Sequence, residues 1–166
     1  MIVRKIQLLG KYKNLYALVD AEDFGLVNNY RWWGTKPSVR SKNIYPFTQI
    51  NKKTVYMHRL IVRASKLEEI DHKNLDSLDN RKNNLRICTR AENIHNAEVR
   101  KNCKSGLKGV SLASETRRKK KWRARVRVNG KEKVIGYFFT KEEAGEAFDK
   151  EAKKYHGEFA RLNFLL

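Results

Sequence analysis

The residue types with most chemistry in them are gathered in one stretch, "EEIDHKNLDSLDNRKNNLRICTRAENIHN", Glu68 to Asn96. Asp71 and the amide oxygen of Asn93 are hard oxygen donors, suited to Mg²⁺, Ca²⁺ or Mn²⁺ and poorly suited to zinc. Two protein ligands, with waters and a substrate phosphate completing the shell, is what Mg²⁺ commonly takes in phosphoryl chemistry. His72 follows Asp71 directly, and an imidazole with an ordinary pKa of about 6.5 is largely neutral at pH 7 and can take a proton from an attacking water. Taken singly, each has a plain structural use: Asp71 as a turn cap, Asn80, Asn83 and Asn84 as loop residues, a lone histidine as a packed side chain.

For these groups to meet, the chain has to turn back twice. "LEEIDH" is expected to end a strand at Ile70, "KNLDSLDNRKNN" reads as a polar, turn-rich loop, and "LRICT" as a second short strand. Thr89-Arg90-Ala91-Glu92 fits a capping box and predicts a helix from Arg90 towards Arg100. Packed across the two strands, that helix turns Asn93 towards Asp71 and His72. One geometric condition comes with it. Neighbours in a regular strand point to opposite faces, so the Asp71-His72 backbone bends or only one of the two enters the site.

Together with "YMHRLI" upstream, this segment resembles the HNH nuclease motif, in the variant whose last histidine is an asparagine, as in homing endonucleases of phage and intron origin. The Asp-His pair, "LDNR", "NNLR" and the "ENIHN" helix carry the resemblance. It implies a ββα-metal core over about residues 56–100, with Asp71 and Asn93 as metal ligands and His72 as general base. Asn84 is then the middle residue that pins the loop and orients the histidine. The cofactor implied is Mg²⁺, with Mn²⁺ able to substitute.

The last third has a different pattern. "KSGLKGVSLAS", "KKWRARVRVN" and "KEKVIGYF" read as three strands, with Asn129-Gly130 as a two-residue hairpin turn between the last two. From Thr140 the period becomes helical, with Ala144, Ala147, Phe148 and Tyr155 at helical intervals and Gly157 as the stop. In the second strand Trp122, Ala124, Val126 and Val128 point towards the helix, and Arg123, Arg125 and Arg127 point away. An uncovered face with three guanidiniums is either solvated or lies against an anion, and a sheet of this width fits the major groove of DNA. Residues Gly106 to Phe164 resemble an AP2 DNA-binding domain, carried by "LKGVS", "KWRARVRVNGKEKV" and "GYFFTKEEAGEAFDKEAKKYHGEFARLNF". The resemblance implies DNA contacts from Lys108, Ser111, Arg123, Arg125, Arg127 and Lys133. Plant regulators of that family usually carry arginine or tryptophan where this chain has Ser111, Ala113 and Val134, so their target sequence does not carry over.

Charge agrees with a polyanionic partner. The 166 residues hold 37 Lys and Arg against 18 Asp and Glu, a formal charge of +19, which draws the protein to nucleic acid or an anionic membrane. The excess is uneven: 13 basic against 3 acidic residues in 1–66, 6 against 7 in 67–100, and 18 against 8 in 101–166. Two basic arms around a near-neutral centre suit a molecule that holds phosphate at its flanks and needs carboxylates in its middle. Lysines and arginines interrupt "MIVRKIQLLGKYK", so it does not read as a signal peptide, and no apolar run approaches the roughly 18 residues of a spanning helix. Cys88 and Cys103 lack the spacing of a disulfide framework or a zinc ribbon. A reduced, intracellular, cytoplasmic protein of a phage or bacterial host cell is expected, not a secreted one.

The expected fold is α+β. A small β-rich region, with Trp32 and Trp33 as core or lid residues, leads into the ββα-metal (HNH) motif, and an AP2-type three-stranded antiparallel sheet packed on one helix follows. The boundaries expected are 1–100 for the nuclease domain, 101–106 for a linker and 107–166 for the DNA-binding domain. The function expected is sequence-directed, metal-dependent hydrolysis of a phosphodiester in double-stranded DNA, one strand nicked per protomer, by a monomer or homodimer with no membrane partner. The rival is a non-catalytic DNA-binding transcription regulator with a disused nuclease fold; the intact Asp71, His72, Asn84 and Asn93 argue against it. An RNA-binding role is disfavoured because the arginine face lacks an exposed aromatic pair for stacking single-stranded bases.

Overall fold

Small antiparallel sheets and four helices account for most of the described residues, 2–39, 41–100, 102–114 and 119–164, of the computed structural model. The chain divides into two compact units, Met1–Asn93 and Ile94–Leu166.

In the first unit, alternation in Tyr16–Asp20 (β2) buries Ala17 and Val19 completely, and the strand pairs antiparallel with Val3–Gln7 (β1). The helix Ala21–Asn28 (α1) follows. Trp33–Thr35 (β3), Tyr45–Ile50 (β4) and Lys53–Tyr56 (β5) then form a sheet in that order, and "MHRLIV" folds as the helix Met57–Val62 (α2). Leu8, Val19, Val27, Trp32, Met57 and Leu85 make the centre of the core. Of the two tryptophans, Trp32 is buried and its indole donates to the Val27 carbonyl at 2.8 Å, whereas Trp33 lies at the surface beside Phe47.

Glu69–His72 (β6) and Leu85–Cys88 (β7) form an antiparallel hairpin, and Arg90–Asn96 (α3) follows it. Residues 73–84, which join the two strands, are tied to the N-terminal elements. Leu18 exchanges two backbone bonds with this connection at 2.8 Å each, Leu18 N to Leu78 O and Asn80 N to Leu18 O. The buried Asp20 carboxylate accepts from Lys82 N at 2.8 Å, the Lys82 ammonium lies 2.8 Å from Glu22 and 2.9 Å from Asp23, and the Ser77 hydroxyl donates to the Ile44 carbonyl at 2.9 Å. A polar loop of this length stays ordered only if its backbone groups find partners; β2 supplies some of them through Leu18 and Asp20, and α1 holds the Lys82 side chain. The capping box forms, with Thr89 N donating to Glu92 at 2.7 Å and Glu92 N to Thr89 Oγ1 at 3.3 Å. The helix it starts is shorter than the sequence suggests and ends at Asn96.

In the second unit, Val110–Leu112 (β8), Trp122–Val128 (β9) and Lys131–Phe138 (β10) form a sheet of order β10-β9-β8, packed on Lys141–His156 (α4). Asn129 and Gly130 both have positive φ, 49° and 77°, which matches the right-handed twist of the hairpin. Gly109, at φ +73°, is required by packing as well: a Cβ there would fall 2.0 Å from Phe148 Cδ2 and 2.7 Å from the Arg125 carbonyl. Thr140 caps α4 by accepting from Glu143 N at 3.1 Å, and Ala144, Phe148 and Ala152 bury one face of the helix. The buried Asp149 on α4 accepts the backbone N–H groups of Asn163 and Phe164, fixing the C-terminal strap. Among the described residues no helix is long and apolar enough to cross a membrane.

Candidate active site

The strand carrying the acidic residues does not stop at Ile70. Its ladder continues as Asp71↔Arg86 and His72↔Leu85, because a cross-strand ion pair and a buried leucine both hold the extended register. Alternation therefore persists through the Asp-His pair. Glu69, Asp71 and their neighbours on β7, Arg86 and Cys88, share one face, and His72 lies on the other.

On the first face Asp71 is 3% exposed, and its Oδ2 accepts from Arg86 Nε at 2.8 Å and from Arg86 Nη2 at 2.6 Å. Glu69, two residues back, accepts from the Asn93 side-chain amide at 2.8 Å. Asp71 and Asn93, the two residues expected to bind a cation, thus lie with Glu69 on one side of the hairpin, with an arginine among them. The donor types fit a hard divalent ion. Among the described residues no three His, Cys, Asp or Glu side chains converge as a metal-binding group.

On the other face the His72 ring packs at 5.4 Å from His58 and 6.0 Å from Tyr45, both nearly edge-on. His58 in turn stacks on Tyr56. Burial lowers the pKa of His72 below the ordinary histidine value; contact with the Asn80 side chain and the nearby Asp71, Asp76 and Asp79 carboxylates act in the opposite sense without reversing it. The imidazole is neutral at pH 7. Asn84 sits where the connection re-enters β7: its amide donates to the Asp79 carbonyl at 2.7 Å and its oxygen accepts from Asn74 N at 3.0 Å, while its own carbonyl accepts from Lys73 N at 2.9 Å. Asp79 is locked on its far side by Arg81, with both contacts at 2.7 Å. The residue after His72 is therefore held through Asn84.

In the second unit Ala124 and Val126 point into the core against α4, and Arg123, Arg125 and Arg127 alternate with them onto the opposite face. Ser111 stands opposite Arg123 in the ladder, and Ser111 Oγ and Arg123 Nε are buried with no hydrogen-bond partner among the described residues. Arg125 makes an exposed ion pair with Glu132 at 2.8 Å. Two of the expected contact residues are not on this face. Lys108 points back into its own unit, where its ammonium donates to the carbonyls of Ile94, His95 and Ala97, and burial followed by the positive charge of Arg161 brings its pKa down to about 8. Lys133 pairs with the core residue Val126 and so lies on the α4 side, its ammonium 2.7 Å from the Tyr155 hydroxyl and 3.6 Å from Glu151. His95 stacks on His156 at 3.6 Å.

The chain is 29% identical over 158 residues to an uncharacterized HNH endonuclease of Acanthamoeba polyphaga mimivirus; the match covers 94% of this chain and 79% of the relative. This supports an HNH nuclease. No family model matches the chain, and no solved structure matches it.

Two residues on this face of the hairpin were not among the expected ones. Glu69 was legible in principle, since it stands two positions before Asp71 and strand alternation places it on the same side. Arg86 was not, because its position opposite Asp71 depends on the register of the hairpin, which the loop length alone does not fix.

Proposed function

We propose that this protein is a homing-type DNA endonuclease, dependent on a divalent cation, that nicks one strand per protomer. The observation that supports this best is the gathering of Glu69, Asp71 and Asn93 on one face of the β6–β7 hairpin, with a neutral imidazole at the end of the same strand. Asp71 and Asn93 would hold Mg²⁺, or Mn²⁺ in its place. The bound cation supplies charge neutralisation at the scissile phosphate and the leaving 3′ oxygen. His72 accepts the proton of the attacking water. It is the last residue of β6, on the face of the strand opposite Asp71. Asn84 keeps the backbone after His72 in place during the attack. The products are a 5′-phosphate and a 3′-hydroxyl. One set of residues per chain cuts one strand, so a monomer nicks and a homodimer on DNA breaks both strands.

The unit Ile94–Leu166 acts in this reading as an AP2-type module that presents Ser111, Arg123, Arg125 and Arg127 to the duplex. Ser111 Oγ and Arg123 Nε, buried without a hydrogen-bond partner among the described residues, favour a ligand that brings hydrogen-bonding groups to this face, and the exposed Arg125–Glu132 pair costs little to exchange for DNA. The protein then works in the cytoplasm of a phage-infected or bacterial cell. Replacing Arg125 with alanine is expected to relax preference at one base pair by about 1–3 kcal/mol, measured by gel shifts over a set of variant sites. A uniform loss over all sites with a shallower salt dependence would mark a phosphate contact instead.

The reading is tested with purified protein and supercoiled plasmid. Nicked circles should appear with Mg²⁺ or Mn²⁺ and vanish with a chelator, while the gel shift survives chelation. Retained binding without cleavage of any DNA tried would overturn the nuclease and favour the DNA-binding regulator.

A further inference from the structure

The ladder of the second sheet fixes which residues of β10 look towards α4 and which look away. Lys133 pairs with the core residue Val126, and Ile135, at the register shift between Val134 and Gly136, packs into the core. Val134 lies between them, pairs with Arg125 and therefore shares the outer face with the arginines. Among the described residues of β8, β9 and β10 it is the only aliphatic side chain on that face, and it is 45% exposed. Arg125 across the ladder and Glu132 along the strand, its neighbours there, bond to each other at 2.8 Å. The base edges in the major groove of DNA are hydrogen-bond donors and acceptors with one apolar exception, the C5 methyl of thymine. A valine laid on a polar edge strips water from it and returns no hydrogen bond. Laid on the methyl, it buries apolar surface on both partners.

Resting on the reading above that this face is presented to the duplex, we infer that Val134 is a specificity-determining residue that reads the C5 methyl of a thymine. Residues opposite each other in antiparallel strands have Cβ atoms about 5 Å apart, and successive nucleotides of one DNA strand are spaced by about 3.4 Å. The thymine is thus within about one base step of the pair nearest Arg125. Burying one methyl group changes affinity by about fourfold, so the contact tunes the choice of site while the arginines supply most of the attraction. A valine that served the strand alone, as a β-branched residue does, would behave differently. Its replacement would weaken binding to every DNA by the same factor, whether or not the methyl is present.

The test uses the full chain with a chelator present, so that DNA is bound and not cut. Sites are selected from a random duplex pool, and gel shifts are measured on a selected duplex and on copies in which each thymine in turn is replaced by deoxyuridine, which lacks only the methyl. One replacement near the pair that Arg125→Ala relaxes should weaken wild-type binding about fourfold. Val134→Ser should bind that uracil duplex as wild type does and should bind the thymine duplex no better, the signature of two groups that act on each other. Wild type indifferent to uracil at every position would overturn the inference, and so would a serine variant that loses the same factor on both duplexes. Either result with a site still selected leaves the sheet as the DNA-reading face. A chain that selects no sequence overturns that reading and this inference with it.

Discussion

Replacing His72 with alanine is expected to lower plasmid nicking by about 10²- to 10⁴-fold, the usual contribution of a positioned general base, while the gel shift on the same DNA is unchanged. The ring is buried and neutral at pH 7, the state a base must be in before it can take a proton. Its direction is set on three sides: by the His58 and Tyr45 rings, by the extended pairing with Leu85, and by Asn84 through Lys73. The alanine variant leaves a void beside Leu85, so His72→Gln, which fills more of it without the basic ring nitrogen, separates chemistry from packing. Both variants should be inactive and both should bind DNA. Cleavage by the glutamine variant at the wild-type rate would remove the imidazole from the reaction.

The parts of this molecule that could be read from sequence are those decided locally. Thr89 and Glu92 satisfy each other's backbone donors across one helical turn, and Asn129-Gly130 takes positive φ because those residue types tolerate it; neither depends on distant contacts. The extent of β6 was not local. "EIDH" has little strand propensity at its end, and the strand continues to His72 because Arg86 and Leu85 arrive opposite from fourteen or so residues away. That continuation is what separates Asp71 from His72, so an error of two residues at a strand end changes the geometry of the site. Lys108 and Lys133 illustrate the same limit. The resemblance implied DNA contacts from both, but the carbonyls at the end of α3 attract one ammonium and the Tyr155 hydroxyl with Glu151 the other. The basic N-terminal strands were expected to grip DNA. In the structure β2 supplies hydrogen-bond partners to residues 73–84, a role that composition does not reveal.

The ring cluster beneath the hairpin should also set the acid limit of the fold. His58 is buried, its Nδ1 has no hydrogen-bond partner among the described residues, and its pKa is pushed down to about 3, mainly by burial, then by the neighbouring His72 and by Arg59. In the unfolded chain the same imidazole titrates at about 6.5. Between those values the unfolded state binds a proton that the folded state refuses, so the stabilisation is full above pH 6.5 and is lost as pH falls towards 3, by about 1.4 kcal/mol per pH unit for each such histidine. His72 shifts in the same direction and steepens the loss. Urea unfolding of the full chain, followed by tryptophan fluorescence through the buried Trp32 of the same core, should show stability falling from pH 6.5 to 4.5. His58→Phe keeps a ring against Tyr56 and Tyr45 but removes one titrating group, and its slope over that range should be shallower than wild type by about one proton. An identical slope in the two proteins would show that His58 is not excluded from its proton in the folded state, and that the acid limit belongs to His72 and the carboxylates alone.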